Sequence, residues 1–140
     1  MGVSINIDGV GGVKTKMSKL PAKLMTRVAA SMKTAVLVVE TGAKLNCPVD
    51  SGNLRTTIQS KTTRTGDSVI GSVGTACEYA PYVEFGTGRR GGYPYPTSVP
   101  LAYSGKVAGQ AAQPFLGRSL NENKDTVRNI LSQAIRINDV

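Results

Sequence analysis

The side chains that most often carry out catalysis are scarce in this chain. Its 140 residues include no histidine, two cysteines and nine carboxylates. General acid–base and nucleophilic mechanisms mostly use His, or a Cys, Lys or Ser beside a base. The carboxylates are scattered, and no two of them have a spacing that forces them together. The sequence therefore predicts no catalytic residues and a function other than that of an enzyme.

Metal and nucleotide sites lack their usual residues as well. A zinc site needs about four Cys, His or carboxylate ligands, whereas Cys47 and Cys77 have no histidine to join them. The run Gly-Thr-Gly-Arg-Arg-Gly-Gly at 86–92 resembles a phosphate-binding loop, but it lacks the Gly-Lys-Ser/Thr ending and opens no helix. We expect no metal and no cofactor. The cysteines are expected to be reduced, because disulfides are rare in cytosolic proteins, and to pack as small hydrophobes.

Positive charge is the strongest compositional signal. The chain carries 17 basic and nine acidic residues, for a net charge of +8, and ten of the basic residues lie in the first 66 positions. Such an excess suggests an anionic neighbour, either nucleic acid or an acidic protein face. No apolar run approaches the length of a membrane span and no secretory signal is visible. We therefore expect a cytosolic start and no membrane partner.

A helical period runs from Ser18 to Asn46. Ser18 is a candidate N-cap, Pro21 falls in the first turn, and Pro48 forces the helix to end before it. Apolar residues recur every three or four positions and predict one buried face: Leu20, Leu24, Val28, Met32, Ala35, Val39 and Ala43. The opposite arc predicts a basic stripe that faces DNA or an acidic partner, with simple solvation as the alternative: Lys16, Lys19, Lys23 and Arg27.

Leu37 lies in that polar arc, where a monomer gains nothing from it. The helix is apolar all round from Val36 to Val39. A neighbouring chain that covers this side would explain the pattern, so Leu37 is a candidate interface residue. The alternative is a solvated face with one exposed leucine, which is common in soluble proteins.

Alternating apolar residues and turn residues predict a small antiparallel sheet. Residues 3–7 read as a short strand, and the glycine-rich residues 9–12 as a turn or hinge. Residues 54–64 and 68–76 read as the two strands of a central hairpin that turns around Gly66.

A two-turn helix and a long loop follow the hairpin. Glu78 to Phe85 has a proline near its start, and Gly86 is placed to end the helix in the left-handed conformation. The loop 86–113 has no period, and a loop of that length is usually functional or disordered. It carries residue types that are enriched at interfaces and is predicted to be mobile until a neighbour orders it: Arg89, Arg90, Tyr93 and Tyr95.

From Pro114 the apolar spacing is helical again, although Asn and Asp residues weaken the first half, so a break or late start near Lys124 is expected. The chain is thus predicted to be one α+β domain, residues 1–140. A long N-terminal helix 18–46 and a C-terminal helix would pack on a small antiparallel sheet whose central hairpin is 54–76.

Two punctuated segments resemble a known family. They are Cys47-Pro48-Val49-Asp50-Ser51-Gly52-Asn53-Leu54-Arg55 and Tyr79-Ala80-Pro81-Tyr82-Val83-Glu84-Phe85-Gly86-Thr87-Gly88, and each combines a proline, an acid and a glycine between apolar stretches. A hairpin ending in Val73-Gly74-Thr75 lies between them, and Gln113-Pro114-Phe115-Leu116 follows. This order is similar to that of head–tail joining (neck, tail-completion) proteins, also called tail components, of long-tailed bacteriophages and prophages, over residues 18–135.

Some residues of these segments have structural roles available. The Asp50 side chain can accept hydrogen bonds from backbone N–H groups two residues on, and Gly52 can adopt a positive φ. Glu84 and Arg55 could pair if the short helix lies across the hairpin, but turn chemistry alone is the favoured interpretation. The chain departs from the family at Gly117-Arg118-Ser119-Leu120, where Arg-Pro-Ala-Leu is frequent.

The resemblance implies a structural virion protein that forms a ring in the phage neck, with a hexamer favoured and a dodecamer as the alternative. The ring would join portal-side connector or head-closure proteins to the tail terminator or tail tube and let DNA pass, in the virion and, during assembly, in the host cytoplasm. The family motif residues are Pro48, Asp50, Gly52, Arg55, Tyr79, Glu84, Gly86, Pro114 and Phe115. The alternative function is a small basic nucleic-acid-binding module that uses the helix stripe and the hairpin.

Overall fold

The described part of the chain forms a four-stranded sheet, two long helices and two short ones. A computed structural model describes residues 2–8, 12–18, 21–48, 52–95, 97 and 101–136. The elements in chain order are β1 (Gly2–Asp8), β2 (Gly12–Ser18), α1 (Ala22–Asn46), α2 (Gly52–Thr57), β3 (Gln59–Thr65), β4 (Ser68–Gly74), α3 (Ala80–Phe85) and α4 (Phe115–Arg136), with a short 3₁₀ turn at Gly88–Arg90. None of the helices in these residues is both long and apolar enough to cross a membrane.

The strands form one antiparallel sheet in the order β1-β2-β4-β3. Along β4, Val69, Gly71 and Val73 are buried and alternate with half-buried residues. On β2, Met17 is buried and Lys16 is exposed. Helices α1 and α4 pack against each other and against the sheet. Because side chains alternate between the faces of a strand, the buried residues lie on one face of the sheet, which holds the core. The predicted α+β class is confirmed.

The predicted apolar face of the long helix is confirmed for every member that the structure describes. Leu24, Val28, Met32, Ala35, Val39 and Ala43 are all buried, whereas Leu20 lies outside the described residues. Glycine permits two close approaches beneath this helix. A Cβ at Gly71 would lie 2.4 Å from Val36, and one at Gly42 would lie 2.3 Å from Ser119 Oγ. The core is therefore packed without room for a methyl group at either crossing.

The predicted start of the long helix at Ser18 is wrong. Residues Gly12–Ser18 form strand β2, which pairs with β4 from Val13↔Val73 to Met17↔Val69. The alternation of Val13, Thr15 and Met17 wins over the helical spacing because the strand finds partners on both sides. Helix α1 begins at Ala22, directly after Pro21. The predicted turn at 9–12 lies outside the described residues except for Gly12, which is in β2.

The basic stripe is therefore not one helix face. Lys16 is exposed on strand β2, whereas Lys23 and Arg27 are exposed one turn apart on α1. Lys19 lies outside the described residues. Because Lys16 lies on strand β2, it does not share a helix face with Lys23 and Arg27, as it would on a continuous helix.

The predicted strand 54–64 is wrong in its first part, because Gly52–Thr57 is helix α2 and the strand begins at Gln59. Leu54 and Ile58 are both buried, which fits helical spacing of four as well as alternation. The hydroxyls of Thr56 and Thr57 donate to the carbonyls three residues earlier, at 2.9 and 2.8 Å, and so support the helical turn. The rest of the hairpin, with its turn at Gly66, is confirmed.

Helices α3 and α4 are both present as predicted, but some of their details differ from the predictions. Helix α3 carries a proline in its first turn and ends at Gly86, which has a positive φ of 76° but an extended ψ of 178°. Helix α4 runs unbroken from Phe115 to Arg136, so the expected break near Lys124 is absent. Burial of Leu116, Leu120 and Val127 outweighs the weak helix propensity of Asn121 and Asn123.

We expect Gly71→Ala to lower the free energy of unfolding by about 1–3 kcal/mol, because the new methyl group would force Met32 and Val36 apart. Gly105→Ala is the control, since no atom lies within 4 Å of a Cβ at that position, and its effect should be within about 0.5 kcal/mol. Denaturant unfolding measures both. Equal effects would contradict the close packing of α1 on β4.

Candidate functional site

The second punctuated segment is built around a buried carboxylate. Glu84 on α3 has no exposed surface. Its Oε1 accepts the backbone N–H of Leu116 at 2.9 Å, and its Oε2 accepts the backbone N–H of Gly117 at 3.0 Å and the Tyr93 hydroxyl at 2.5 Å. The first N–H groups of a helix have no partner within the helix, and they attract negative charge. Glu84 therefore caps the N-terminus of α4 from a different helix.

The residues around Glu84 explain why the segment that contains it and the segment Gln113-Pro114-Phe115-Leu116 occur together in the sequence. The backbone N–H of Gln113 donates to the Val83 carbonyl at 2.8 Å, which brings the end of the long loop back to α3. Pro114 and Phe115 are buried where α4 begins. The segment around Glu84 and the Gln113-Pro114-Phe115-Leu116 segment are thus two halves of one structure, here called the Glu84 hub, which comprises residues 83–87 and 113–117.

Glycines let the loop fold back on this hub. Thr87 and Gln110 exchange backbone hydrogen bonds of 2.9 and 3.0 Å. Gly88 and Gly109 both have positive φ, and a Cβ at Gly109 would overlap the Thr87 carbonyl. These glycines serve a close approach of two backbone segments. Backbone N–H groups of Thr87, Arg89 and Arg90 donate to carbonyls of residues 107–110 and hold these two parts of the loop together.

Tyr93 and Tyr95, two of the predicted interface residues, contact their own chain. Tyr93 packs edge-on against Phe85 with ring centroids 4.6 Å apart, and Tyr95 packs edge-on against Tyr93 at 5.7 Å. A Cβ at Gly117 would lie 2.2 Å from the Tyr93 hydroxyl oxygen, so this contact requires a glycine. Arg89 and Arg90, by contrast, are exposed and remain candidates for contact with a partner.

Burial dominates the electrostatics of the hub. Desolvation raises the pKa of Glu84 above its usual value, and the hydrogen bonds from Tyr93, Leu116 and Gly117 act against it. The pKa of Tyr93 is raised as well, first by desolvation and then by the neighbouring Glu84 carboxylate. Three donors converge on this carboxylate, so the arrangement positions a helix rather than a reactive group.

Arg55 and Glu84 have other partners, so the conditional pair between them is not formed. Arg55 Nη2 donates to the Cys47 carbonyl at 3.1 Å, just past the end of α1, while Glu84 is fully engaged at α4. Cys47 is buried, Cys77 is half-buried, and both are free. Desolvation raises the pKa of the Cys47 thiol. Pro48 follows Cys47 as expected for a helix stop, whereas Asp50 lies outside the described residues.

Two surface regions expose apolar side chains. Leu37 and Leu45 on α1 are 52% and 80% exposed, so the predicted position of Leu37 in a solvent-facing arc is confirmed. Tyr82 is 61% exposed and lines a groove with Tyr79, Arg90, residues 109–111 and Gln113. Among the described residues, no group of three or more His, Cys, Asp or Glu could hold a metal ion.

Sequence reasoning found Glu84 as a motif residue but missed its role. The available signal was its place between Val83 and Phe85 on a six-residue helix, which favours burial, together with a second motif that opens a helix. It also missed the contacts of Tyr103, whose hydroxyl donates to the Phe85 carbonyl at 2.8 Å, and of Ser119, whose hydroxyl donates to the Val39 carbonyl at 2.7 Å. Tyr103 is noticeable only as one of the tyrosines of the loop, and Ser119 does not stand out in the sequence pattern.

The protein has an α+β fold. Its Glu84 hub joins the segment around Glu84 to the segment that opens α4, and its role is structural. The model of a protein family described as "Bacteriophage HK97-gp10, putative tail-component" matches residues 12–86, more than half of the chain. The chain belongs to this family of phage tail components, which gives it a structural role in the virion. The resemblance stated from the sequence is thereby confirmed at this level. No curated protein and no solved structure matches the chain.

We expect Glu84→Gln to lower the free energy of unfolding by about 1–3 kcal/mol at neutral pH, because a glutamine amide group cannot accept both the Leu116 and the Gly117 N–H. Glu78→Gln is the matched control, since Glu78 is exposed, and it should change little. Thermal or denaturant unfolding measures both variants. Equal stability of the two variants would contradict the capping role.

The pH dependence of the same variant gives a second readout. Because the folded-state pKa of Glu84 is raised, ionisation of this carboxyl group lowers the free energy of unfolding. This loss is absent below the unfolded-state pKa of about 4.3 and develops as pH rises through the folded-state pKa. The stability advantage of the wild type over Glu84→Gln should therefore shrink as pH rises above the unfolded-state pKa. An advantage that grows over this range would show that the hydrogen bonds outweigh burial.

The loop is expected to be cut first by trypsin after the exposed Lys106, rather than after Arg89 or Arg90, whose backbone N–H groups donate to the Val107 and Ala108 carbonyls. Cleavage should be suppressed in the assembled particle if a neighbour covers this loop. Peptide mapping of free and assembled protein checks both points. Equal cleavage rates in both states would contradict docking of the loop.

Proposed function

We propose that the protein is a subunit of a ring in the phage neck, which joins the DNA-filled head to the tail and lets DNA pass. Membership in a family of phage tail components carries the proposal. The exposed Leu37 and Leu45 support it, because two large apolar side chains on one helix favour a neighbouring chain. Rings arise from head-to-tail contacts whose rotation closes. Six copies are the favoured number and twelve the alternative.

The partners proposed for this ring are phage proteins on its two sides. Connector or head-closure proteins would contact one face, and the tail terminator or tail tube the other. The exposed cations Lys16, Lys23 and Arg27 are candidates for contact with DNA or with an acidic partner. The protein would act mechanically, as a collar around the passage.

Leu37→Asp is expected to dissociate the ring into folded subunits, because a carboxylate would replace an apolar contact. Ser132→Asp is the control, since Ser132 is exposed on α4 and outside the apolar surface of α1, and it should leave the ring intact. Native mass spectrometry or light scattering gives the copy number, and circular dichroism verifies the fold. A wild-type protein that is monomeric at every concentration, also with its phage partners, would overturn the ring.

Salt dependence separates the ring subunit from the alternative of a nucleic-acid-binding module. A module that neutralises several phosphates loses affinity by orders of magnitude as salt rises. The ring subunit is expected to bind DNA weakly and without sequence preference. Tight, salt-sensitive DNA binding by a monomer, without assembly, would favour the module.

A further inference from the structure

The sheet ends in two open edges. Strands β1 and β3 lie at opposite ends of the order β1-β2-β4-β3, and each is seven residues long. Within the described residues, β1 pairs only with β2, and β3 only with β4. An open edge offers a row of backbone N–H and C=O groups to another strand.

The strand register shows which backbone groups face outward. Thr65 and Ser68 flank a two-residue turn, so they exchange both hydrogen bonds, and alternate residues of β3 then face β4. The backbone groups of Ser60, Thr62 and Arg64 consequently point away from the sheet. The same alternation, followed through β4 and β2, directs the backbone groups of Val3, Ile5 and Ile7 outward from β1.

A shelf formed by α1 lies beside the β3 edge. Thr26, Ala30, Lys33 and Leu37 are exposed and follow one another at helical spacing, and they line two shallow grooves together with residues of β3. One of these β3 residues is Thr62, whose hydroxyl oxygen is buried and has no hydrogen-bond partner among the described residues. A strand added to β3 would contact this shelf, including Leu37.

The charges and the directions of the edge strands indicate which strand would pair with the β3 edge. Strand β3 carries Lys61 and Arg64 and no acid, whereas the only charged residue of β1 is Asp8. Pairing of two β3 edges would therefore oppose like charges, whereas pairing of β3 with β1 would not. In one protomer β1 and β3 run in opposite directions, because three antiparallel steps separate them. A neighbour rotated about an axis along the strands presents β1 antiparallel to β3.

We propose that β1 of one protomer pairs antiparallel with β3 of the next, so that the ring is closed by a continuous sheet. This inference rests on the proposed ring and names its contact. The interface is heterologous, since two different edges meet, and it can therefore close a ring. Leu37 is covered at this contact by the arriving strand.

The test uses one proline variant for each edge. Thr62→Pro and Ile5→Pro each remove an outward N–H, and proline is tolerated on an open edge. Each variant alone should be monomeric, or nearly so. A mixture of the two should form dimers and nothing larger, because one intact β3 and one intact β1 remain to pair. Native mass spectrometry reads the result, and Thr62→Val and Ile5→Val, which keep the N–H, should still form rings.

The outcomes distinguish the contact from the ring itself. Rings formed by the proline variants would overturn the edge pairing and leave the ring standing, whereas a monomeric wild type would overturn both. Folded variants that stay monomeric when mixed would show that the two edges do not meet. If a proline variant is unfolded by circular dichroism, hydrogen exchange of the wild type decides. Strands 2–8 and 59–65 should exchange more slowly in the ring than in the diluted subunit, and equal rates would overturn the pairing.

Discussion

The position of the last helix depends on one buried carboxylate. An unpartnered buried charge costs far more than a domain of this size can tolerate, so the Glu84 carboxylate must find donors wherever it is buried. It finds them at the start of α4 and at the Tyr93 hydroxyl. Since α4 then packs along α1, where Ser119 donates to the Val39 carbonyl, the direction of the whole helix follows from its first turn. Short, charge-assisted hydrogen bonds suit this role because they are directional.

The residues matched by the family and the residues of the Glu84 hub overlap only in part. The match covers residues 12–86 and ends just after Glu84. The groups that satisfy this carboxylate lie at 93, 116 and 117, beyond the matched segment. The matched segment therefore contains an acceptor whose donors are supplied by the rest of the chain. Residues 12–86 form much of the sheet and the long helix, but α4 completes the core that covers one face of that sheet.

How far the sequence predicted the structure depended on which interactions were local. The α1 core face, the turn at Gly66 and the helix stop at Pro48 follow from spacing and backbone preference, and all are present. The strand at 12–18 was missed because its polar lysines suit a helix face equally well, and only pairing with β1 and β4 decides between the two. Helix α2 was missed because Leu54 and Ile58 satisfy both periods. The Glu84 contacts span more than thirty positions, which no local pattern reports.

The contact between Gly117 and Tyr93 limits how this sequence can drift. A side chain at 117 would collide with the Tyr93 hydroxyl oxygen, and its Cβ would lie 3.1 Å from Glu84 Oε2. Tyr93 cannot be lost without removing a donor from the carboxylate, and Gly117 cannot be replaced while Tyr93 stays. Residues 93 and 117 are therefore expected to change together among relatives, because a substitution at either position is harmful while the other residue is unchanged. A relative with a larger residue at 117 must therefore satisfy its carboxylate in another way.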